Sequence, residues 1–393
     1  MEINFEAQKQ ARFFFEGDLD IPELCERLSA YARVPIIPGE TLVFFDEVQA
    51  CPNCLRALRF FHEQMPDLHV IAAGSLLEFA ISEIPSFGVG RISSIFMYPL
   101  SFMEFLRAEG GEMLADYIEK NGTDNPMDAP FHSRLLERLR IFFLIGGMPA
   151  VVDAYCRQHD LLACQEIIDN LLSSILDDLG KYEKRAIPHH LRDTLRAVSH
   201  QAGGKFMYTA VGEGLQNREI KIYLDILERA GLIYRVFHTA ARGIPLGAQI
   251  NERRFKIIPF DSGIHQRILG LDLSEHLVMS PDTMVNRGSC AEVFSGLELI
   301  VGSPNYRRPE LYYWHREQAS SNAEVDYVIQ KGEHIFPIEV KAGKKGSMQS
   351  MRLFLSEHNL PLGVRLSQEN VSRYNNILSL PLYMAGMLNN CTF

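Results

Sequence analysis

The sequence predicts an α/β protein assembled from more than one compact part. Three observations carry this expectation. At 393 residues the chain exceeds the roughly 100–200 residues of a typical domain. Short apolar runs at 41–45 and 69–73 flank a helical segment at 54–64, the βαβ pattern of a parallel sheet. After Phe255, strand and helix alternate again, with apolar strands at 311–314, 324–329 and 334–340.

In chain order, Thr41-Leu42-Val43-Phe44-Phe45 and His69-Val70-Ile71-Ala72-Ala73 read as buried parallel strands. Leu55, Leu58 and Phe61, at helical spacing, supply the crossover helix between them. From 113 to 182 the pattern is helical and is broken at Gly146-Gly147-Met148-Pro149, which suggests a helical lid or bridge. A helical series from 191 ends in the alternating Gly231-Leu232-Ile233-Tyr234-Arg235-Val236, as helices followed by a wing would. The expected parts are therefore an α/β core at 1–112, a lid at 113–185, a winged helix at 186–254 and a second α/β domain at 255–393. The sequence shows no internal repeat and no low-complexity segment.

Hydrophobic residues make up 47% and charged residues 22%, which supports buried cores and argues against disorder. The net charge of -10 confines any nucleic-acid site to a local patch, because phosphate contacts call for clustered Lys and Arg. Seven cysteines are scattered, and Cys51 and Cys54 form the only close pair without a second pair to complete a zinc site. Reduced thiols and a cytoplasmic location are expected. No run approaches the ~18 consecutive apolar residues of a membrane span, so no membrane partner is expected.

Leu42-Val43-Phe44-Phe45-Asp46-Glu47 is an apolar strand ending in two acids, which places both carboxylates at the edge of a parallel sheet where ligands bind. The first acid suits a magnesium ion and the second an attacking water; alternatively the pair simply opens the next helix, whose dipole favours negative charge. Ala72-Ala73-Gly74-Ser75-Leu76-Leu77-Glu78 then ends the next strand in a polar turn, and Gly90-Arg91 precedes Tyr98-Pro99-Leu100-Ser101-Phe102. This order resembles an AAA-type ATPase family of bacteria and archaea that joins an ATPase core to a winged helix and a C-terminal restriction-endonuclease-like domain, itself a domain of unknown function. The resemblance implies that Asp46 and Glu47 are the second phosphate-site (Walker B) motif, with Asp46 on magnesium and Glu47 catalytic. It further implies that Ser75 is a polar sensor and Arg91 an arginine that reaches phosphate. On the residues alone, Arg91 could equally pair with a surface carboxylate. The sequence contains no Gly-x-x-x-x-Gly-Lys-Ser/Thr loop to wrap a triphosphate; in the family this loop lies ahead of the segment resembling Ile3-Asn4-Phe5-Glu6. The core is thus an incomplete P-loop core, and weak ATP binding is expected.

Gly203-Gly204-Lys205-Phe206, a helix near 211–215, a helix over 217–230 and a strand from 232 read as helix, turn, helix and wing. Asn217 could cap the last helix. Ile220, Leu224 and Leu227 would pack inward, leaving Arg218, Lys221 and Tyr223 outward, with Arg218 and Lys221 as DNA contacts. Glu219, Asp225 and Glu228 dilute that charge, and packing against protein is the other reading.

Ala323-Glu324-Val325-Asp326-Tyr327-Val328-Ile329 and Pro337-Ile338-Glu339-Val340-Lys341 look like paired strands carrying an acid, then acid-x-lysine. Residues two apart share a face, so Glu339 and Lys341 face together and a hairpin brings Asp326 opposite. Two carboxylates and a lysine suit metal-dependent phosphodiester hydrolysis, whereas a plain hairpin would turn its charged face to water. Asp326 interrupts an apolar run, and Lys341, Lys344 and Lys345 form a basic edge. The pattern resembles the restriction-endonuclease-like PD-(D/E)XK motif over about 288–354, which implies that Glu292, Asp326 and Glu339 bind magnesium and that Asp326, Glu339 and Lys341 are catalytic. Taken together, the expectation is an ATPase-like protein acting on DNA. The rival is a protein-interaction or toxin-like module with a structural ATPase remnant.

Overall fold

The computed structural model describes residues 1–75, 81, 90–182, 186–212, 214–276, 288–317, 322–343, 346–389 and 391. The chain divides into residues 1–95 and 96–393, and each unit is built on its own sheet.

The first unit runs β1 (Glu2–Asn4), α1 (Ile21–Ala32), β2 (Leu42–Asp46), α2 (Pro52–Gln64) and β3 (His69–Ala72), with the three strands parallel in the order β1-β2-β3. Proline stands in the first turn of both helices, where no intrahelical N–H is lost. Asp20 caps α1, its carboxylate accepting the Glu23 N–H at 3.0 Å. Leu24 and Leu28 of α1, Leu55 and Phe61 of α2, and Val43 and Phe45 of β2 share one core. Among the described residues of this unit nothing covers the other face of the sheet, where Leu42 is 45% and Ile71 46% exposed. The strands expected to be buried on both faces are therefore buried on one, because the apolar residues of both helices join the cluster of Val43 and Phe45.

The second unit begins with a helical run: α3 (Phe102–Ala108), α4 (Glu112–Asn121), α5 (Ala129–Ile145), α6 (Pro149–Gln158), α7 (Leu161–Asp178), α8 (Pro188–Gln201) and α9 (Asn217–Arg229). Next come β4 (Ile233–Thr239), β5 (Ile250–Pro259), α10 (Ser262–Ile268), α11 (Leu273–His276) and α12 (Gly288–Val301). The chain ends with β6 (Leu311–His315), β7 (Glu324–Lys331), β8 (His334–Val340), α13 (Gln349–Glu357), β9 (Gly363–Ser367), β10 (Ser372–Tyr374) and β11 (Ile377–Pro381). The eight strands form one mixed sheet in the order β10-β11-β9-β8-β7-β6-β4-β5.

Two expected boundaries move. Helices α3 to α7, read as part of a core and its lid, share a hydrophobic core with the eight-stranded sheet. Aromatic rings contribute to this core, with Phe143 on Phe294 at 4.9 Å, Phe102 on Phe142 at 5.8 Å and Phe102 on Tyr383 at 6.5 Å. The boundary expected at 254/255 falls inside β5. The strand taken for a wing is β4, which pairs antiparallel with β5 and parallel with β6, so ladder hydrogen bonds tie it into the sheet.

The Gly146-Gly147 break is a junction. A Cβ on Gly147 would stand 2.2 Å from the Leu100 carbonyl oxygen, and Leu100 N–H donates to the Gly147 carbonyl at 2.7 Å. Gly147 N–H in turn donates to Asp261 Oδ2 at 2.8 Å, and Phe102 N–H to Glu298 Oε1 at 2.8 Å. Burial pushes Asp261 up to about 6 and Glu298 up to about 8. In this fold Phe102 of the Tyr98–Phe102 motif latches onto the buried Glu298 carboxyl group, and Leu100 onto Gly147. All seven cysteines are free thiols, and burial pushes both Cys51 and Cys54 up. Among the described residues, no helix is long and apolar enough to cross a membrane.

Candidate functional site

Strands β7 and β8 form the antiparallel hairpin that brings Asp326 opposite Glu339, one position on from the Tyr327–Ile338 pair. Lys341 Nζ lies 2.5 Å from Glu339 Oε1, and Val340 N–H donates to Asp326 Oδ2 at 2.8 Å. Alternation along β7 puts Glu324 on the same face as Asp326. Glu292 enters from α12, a helix whose other side is buried in the core. The structure thus gathers Glu292, Asp326, Glu339 and Lys341, while Leu76, Leu77, Glu78, Lys344 and Lys345 lie outside the described residues.

At the centre stands Lys256 of β5, only 1% exposed. Its Nζ is 2.6 Å from Glu292 Oε1, 2.7 Å from Glu324 Oε1 and 3.5 Å from Asp326 Oδ1. Burial opposes its charge, but Glu292, Asp326 and Glu324 outweigh that and raise the ammonium well above the usual lysine range. Burial pushes Glu292 up to about 8 against the pull of Lys256. Burial also raises Glu339, to about 7, with the Asp326 charge adding and Lys341 opposing. Glu324 goes the other way: its burial is outweighed by Lys256 and by Lys205, 3.2 Å away.

Glu339 is 5% exposed, and among the described residues its buried Oε2 has no hydrogen-bond partner. An orphaned carboxylate oxygen is costly unless a donor or cation meets it. Among the described residues no group of three His, Cys, Asp or Glu side chains is arranged as a metal cage. Magnesium seldom needs one, since it is usually held by one or two carboxylates, water and substrate phosphate. Glu339 Oε2 beside Asp326 fits that donor set of hard oxygens. Glu292, the third acid of the expected trio, has its Oε1 on Lys256 at 2.6 Å.

In the first unit Asp46 and Glu47 do end β2. Asp46 Oδ2 accepts from Asn4 Nδ2 at 2.8 Å, and Asp46 Oδ1 from the Glu47 N–H at 2.9 Å. Glu47 has φ of 50°, in the left-handed region, and its carboxylate accepts from Gln49 Nε2. Ser75 lies on an exposed turn beyond β3. Arg91 pairs with Glu63 of α2 at 2.8 Å, the surface-carboxylate alternative.

On α9, Arg218 and Lys221 are exposed and Ile220, Leu224 and Leu227 buried, as the periodicity predicts. Tyr223 differs: it is 4% exposed, its hydroxyl 3.1 Å from His190 Nδ1, because α8 packs against that face. Gln216 rather than Asn217 caps the helix, in a reciprocal pair with Glu219.

Sequence reasoning missed Lys256, Glu324 and Asn4. Lys256 did leave a signal, since it interrupts the apolar run Phe255-Lys256-Ile257-Ile258 as Asp326 interrupts its own.

Comparison with known proteins bears on both ends of the chain. Residues 1–106 match an AAA domain. An AAA ATPase-like domain therefore stands at the N-terminus, and residues 287–383 match a domain of unknown function (DUF4143). A further domain of unknown function (DUF8612) matches 136–275, running across the junctions expected at 185 and 254. An uncharacterized protein of Haemophilus influenzae is 26% identical over 210 residues, which cover 51% of this chain and 46% of that protein. The chain thus spans about half the length of that relative. Among solved structures, the Walker-type ATPase of Pyrococcus abyssi is similar at 16% identity, covering 68% of this chain and 76% of that one with a TM-score of 0.40.

Proposed function

We propose that the second unit is a divalent-metal-dependent phosphodiester hydrolase of restriction-endonuclease-like design, acting on DNA in a chain that also carries an AAA ATPase-like domain. The observation that carries this reading is the buried, partnerless Glu339 Oε2 beside Asp326, with Lys341 on the other Glu339 oxygen. Asp326 and Glu339 would hold the ion. When bound, a magnesium-type ion activates water and offsets phosphate charge. Lys341, part-exposed at the rim, holds the Glu339 carboxylate in one orientation and presents its charge to an incoming phosphate. Arg218 and Lys221 on the open face of α9 would meet the phosphate backbone at a distance from the reacting bond.

One observation favours a second reading. Lys256 already neutralises much of the acidic group, as it would in a non-catalytic interaction module. Manganese-dependent cleavage of single- and double-stranded DNA separates the two. Wild-type protein should cut at least one substrate, and Asp326→Asn and Lys341→Ala should each lower the rate by about 100-fold or more. Asp326→Asn should also lose the rise in melting temperature that manganese gives the wild type, whereas Lys341→Ala should keep it. Neither cleavage nor a melting shift in the wild type would leave the interaction module as the better reading.

A further inference from the structure

We propose that Lys256 is the internal second cation of this site: it takes Glu292 and Glu324, and leaves room for one divalent ion, at Asp326 and Glu339. The inference rests on the reading above that these last two carboxylates hold a metal. Hydrolases that use two ions set them about 3.5–4 Å apart. Here an ammonium group holds one of those places, in contact with Glu292 at 2.6 Å, Glu324 at 2.7 Å and Asp326 at 3.5 Å.

The lysine is fixed there. It projects from the interior of β5 between buried Phe255 and Ile257, and its Nζ lies 5.3 Å from the Tyr313 ring. Moving it out would strand three carboxylates in a dry site, and an uncompensated buried charge is strongly destabilising. Charge balance points the same way. Glu292, Glu324, Asp326 and Glu339 face Lys205, Lys256 and Lys341, so full ionisation leaves a single negative excess. One divalent ion turns that excess into a single positive one, and a second would add charge to carboxylates that the lysines already face. The oxygens agree, since Glu292 Oε1, Glu324 Oε1 and Glu339 Oε1 each face an ammonium and Glu339 Oε2 is left open. A resident lysine also gives the folded site its own cation, so the unit keeps its structure when metal is scarce.

Manganese titration of the full chain, followed by calorimetry and by thermal melting, tests this. Wild type should bind one ion. Lys256→Met, similar in length but neutral, should bind two and show a manganese-induced rise in melting temperature about twofold larger. Lys256→Arg should keep one. Glu292→Gln should retain that ion with affinity within about threefold, because its partner is the lysine, whereas Asp326→Asn should lose it. If Lys256→Met does not fold, the double variant Lys256→Met with Glu292→Gln removes one buried charge of each sign and should still take two ions. A single ion at unchanged affinity in the methionine variant overturns the role of Lys256 and leaves the metal reading standing. An ion in the variant but none in the wild type overturns the one-ion site, since the lysine would then exclude metal. No ion in either, at millimolar manganese, overturns both readings.

Discussion

The two sheets of this chain treat carboxylates in opposite ways. In residues 1–95 the three strands are covered on one face, and Asp46 stands at a strand end with neutral donors, Asn4 at 2.8 Å and the Glu47 N–H at 2.9 Å. In residues 96–393 strand β8 is buried from Ile335 to Val340, on both faces, and its one acid, Glu339, is answered by the ammonium of Lys341. A strand end shares the solvation of a charge with water. A strand end that is itself buried, as at Glu339, cannot, so counter-ions must come from the chain or from solution. The contrast accounts for the lysines at one site and their absence from the hydrogen bonds of the other.

Core substitutions sharpen this comparison most. Ile338→Ala in β8 should cost about 2–5 kcal/mol, since Ile338 is fully buried and its loss leaves a cavity. Ile71→Ala in β3 removes a half-exposed side chain and should stay within about 0.5 kcal/mol. Urea unfolding of both variants gives the ratio. Equal costs would mean that the open face of the first sheet is covered in solution.

A smaller effect comes from pH. Glu298 rises from 4.5 to about 8 through burial, so the folded chain keeps a proton that the unfolded chain releases. Its contribution to stability is fully present below about pH 4.5 and is lost as pH rises through 8. The melting temperature of Glu298→Gln, measured in chelator to exclude metal, should therefore fall less between pH 5 and 8 than that of the wild type. Parallel profiles would show that Glu298 does not hold its proton in the latch with Phe102.

Much of the fold was legible in the sequence, for reasons that differ by region. The strands at 42–46 and 334–340 stand out because a short apolar run of β-branched and aromatic residues closing on an acid suits a buried strand that ends at a sheet edge better than it suits a helix. Alternation alone placed Glu339 with Lys341, and the hairpin turn set Asp326 opposite them. Lys256 and Glu324 were not legible as partners. Their meeting depends on how β5, α12 and β7 assemble, and sequence periodicity carries no information about contacts between elements distant in the chain. The wing was misplaced for the same reason, since the pairing of β4 with β6 joins residues about 75 positions apart. Tyr223 went inward because the periodicity marks a buried stripe but not its width, which the packing of α8 decides.

The smallest expected effect concerns α9, where exposed Arg218 and Lys221 coincide with a proposed DNA contact. Arg218 and Lys221 lie one turn apart on its open face, with Glu219 between them drawn back onto the Gln216 N–H at 2.9 Å. That capping bond removes a carboxylate from the path of an approaching phosphate. The other two acids of the helix, Asp225 and Glu228, are held by Arg235 at 2.5 and 3.2 Å. Two cations are thereby left with their closest acidic neighbours otherwise engaged, on a protein whose net charge of -10 repels DNA elsewhere. Each phosphate contact releases about 0.9 counterion, so Arg218→Ala with Lys221→Ala should flatten the slope of log affinity against log salt by about 2 and weaken duplex binding at low salt. Both residues are exposed, so melting should stay within about 0.5 kcal/mol of the wild type, which separates lost contact from lost fold. An unchanged salt slope in a fluorescence titration would assign this face to packing against protein and confine DNA contact to the neighbourhood of Lys341.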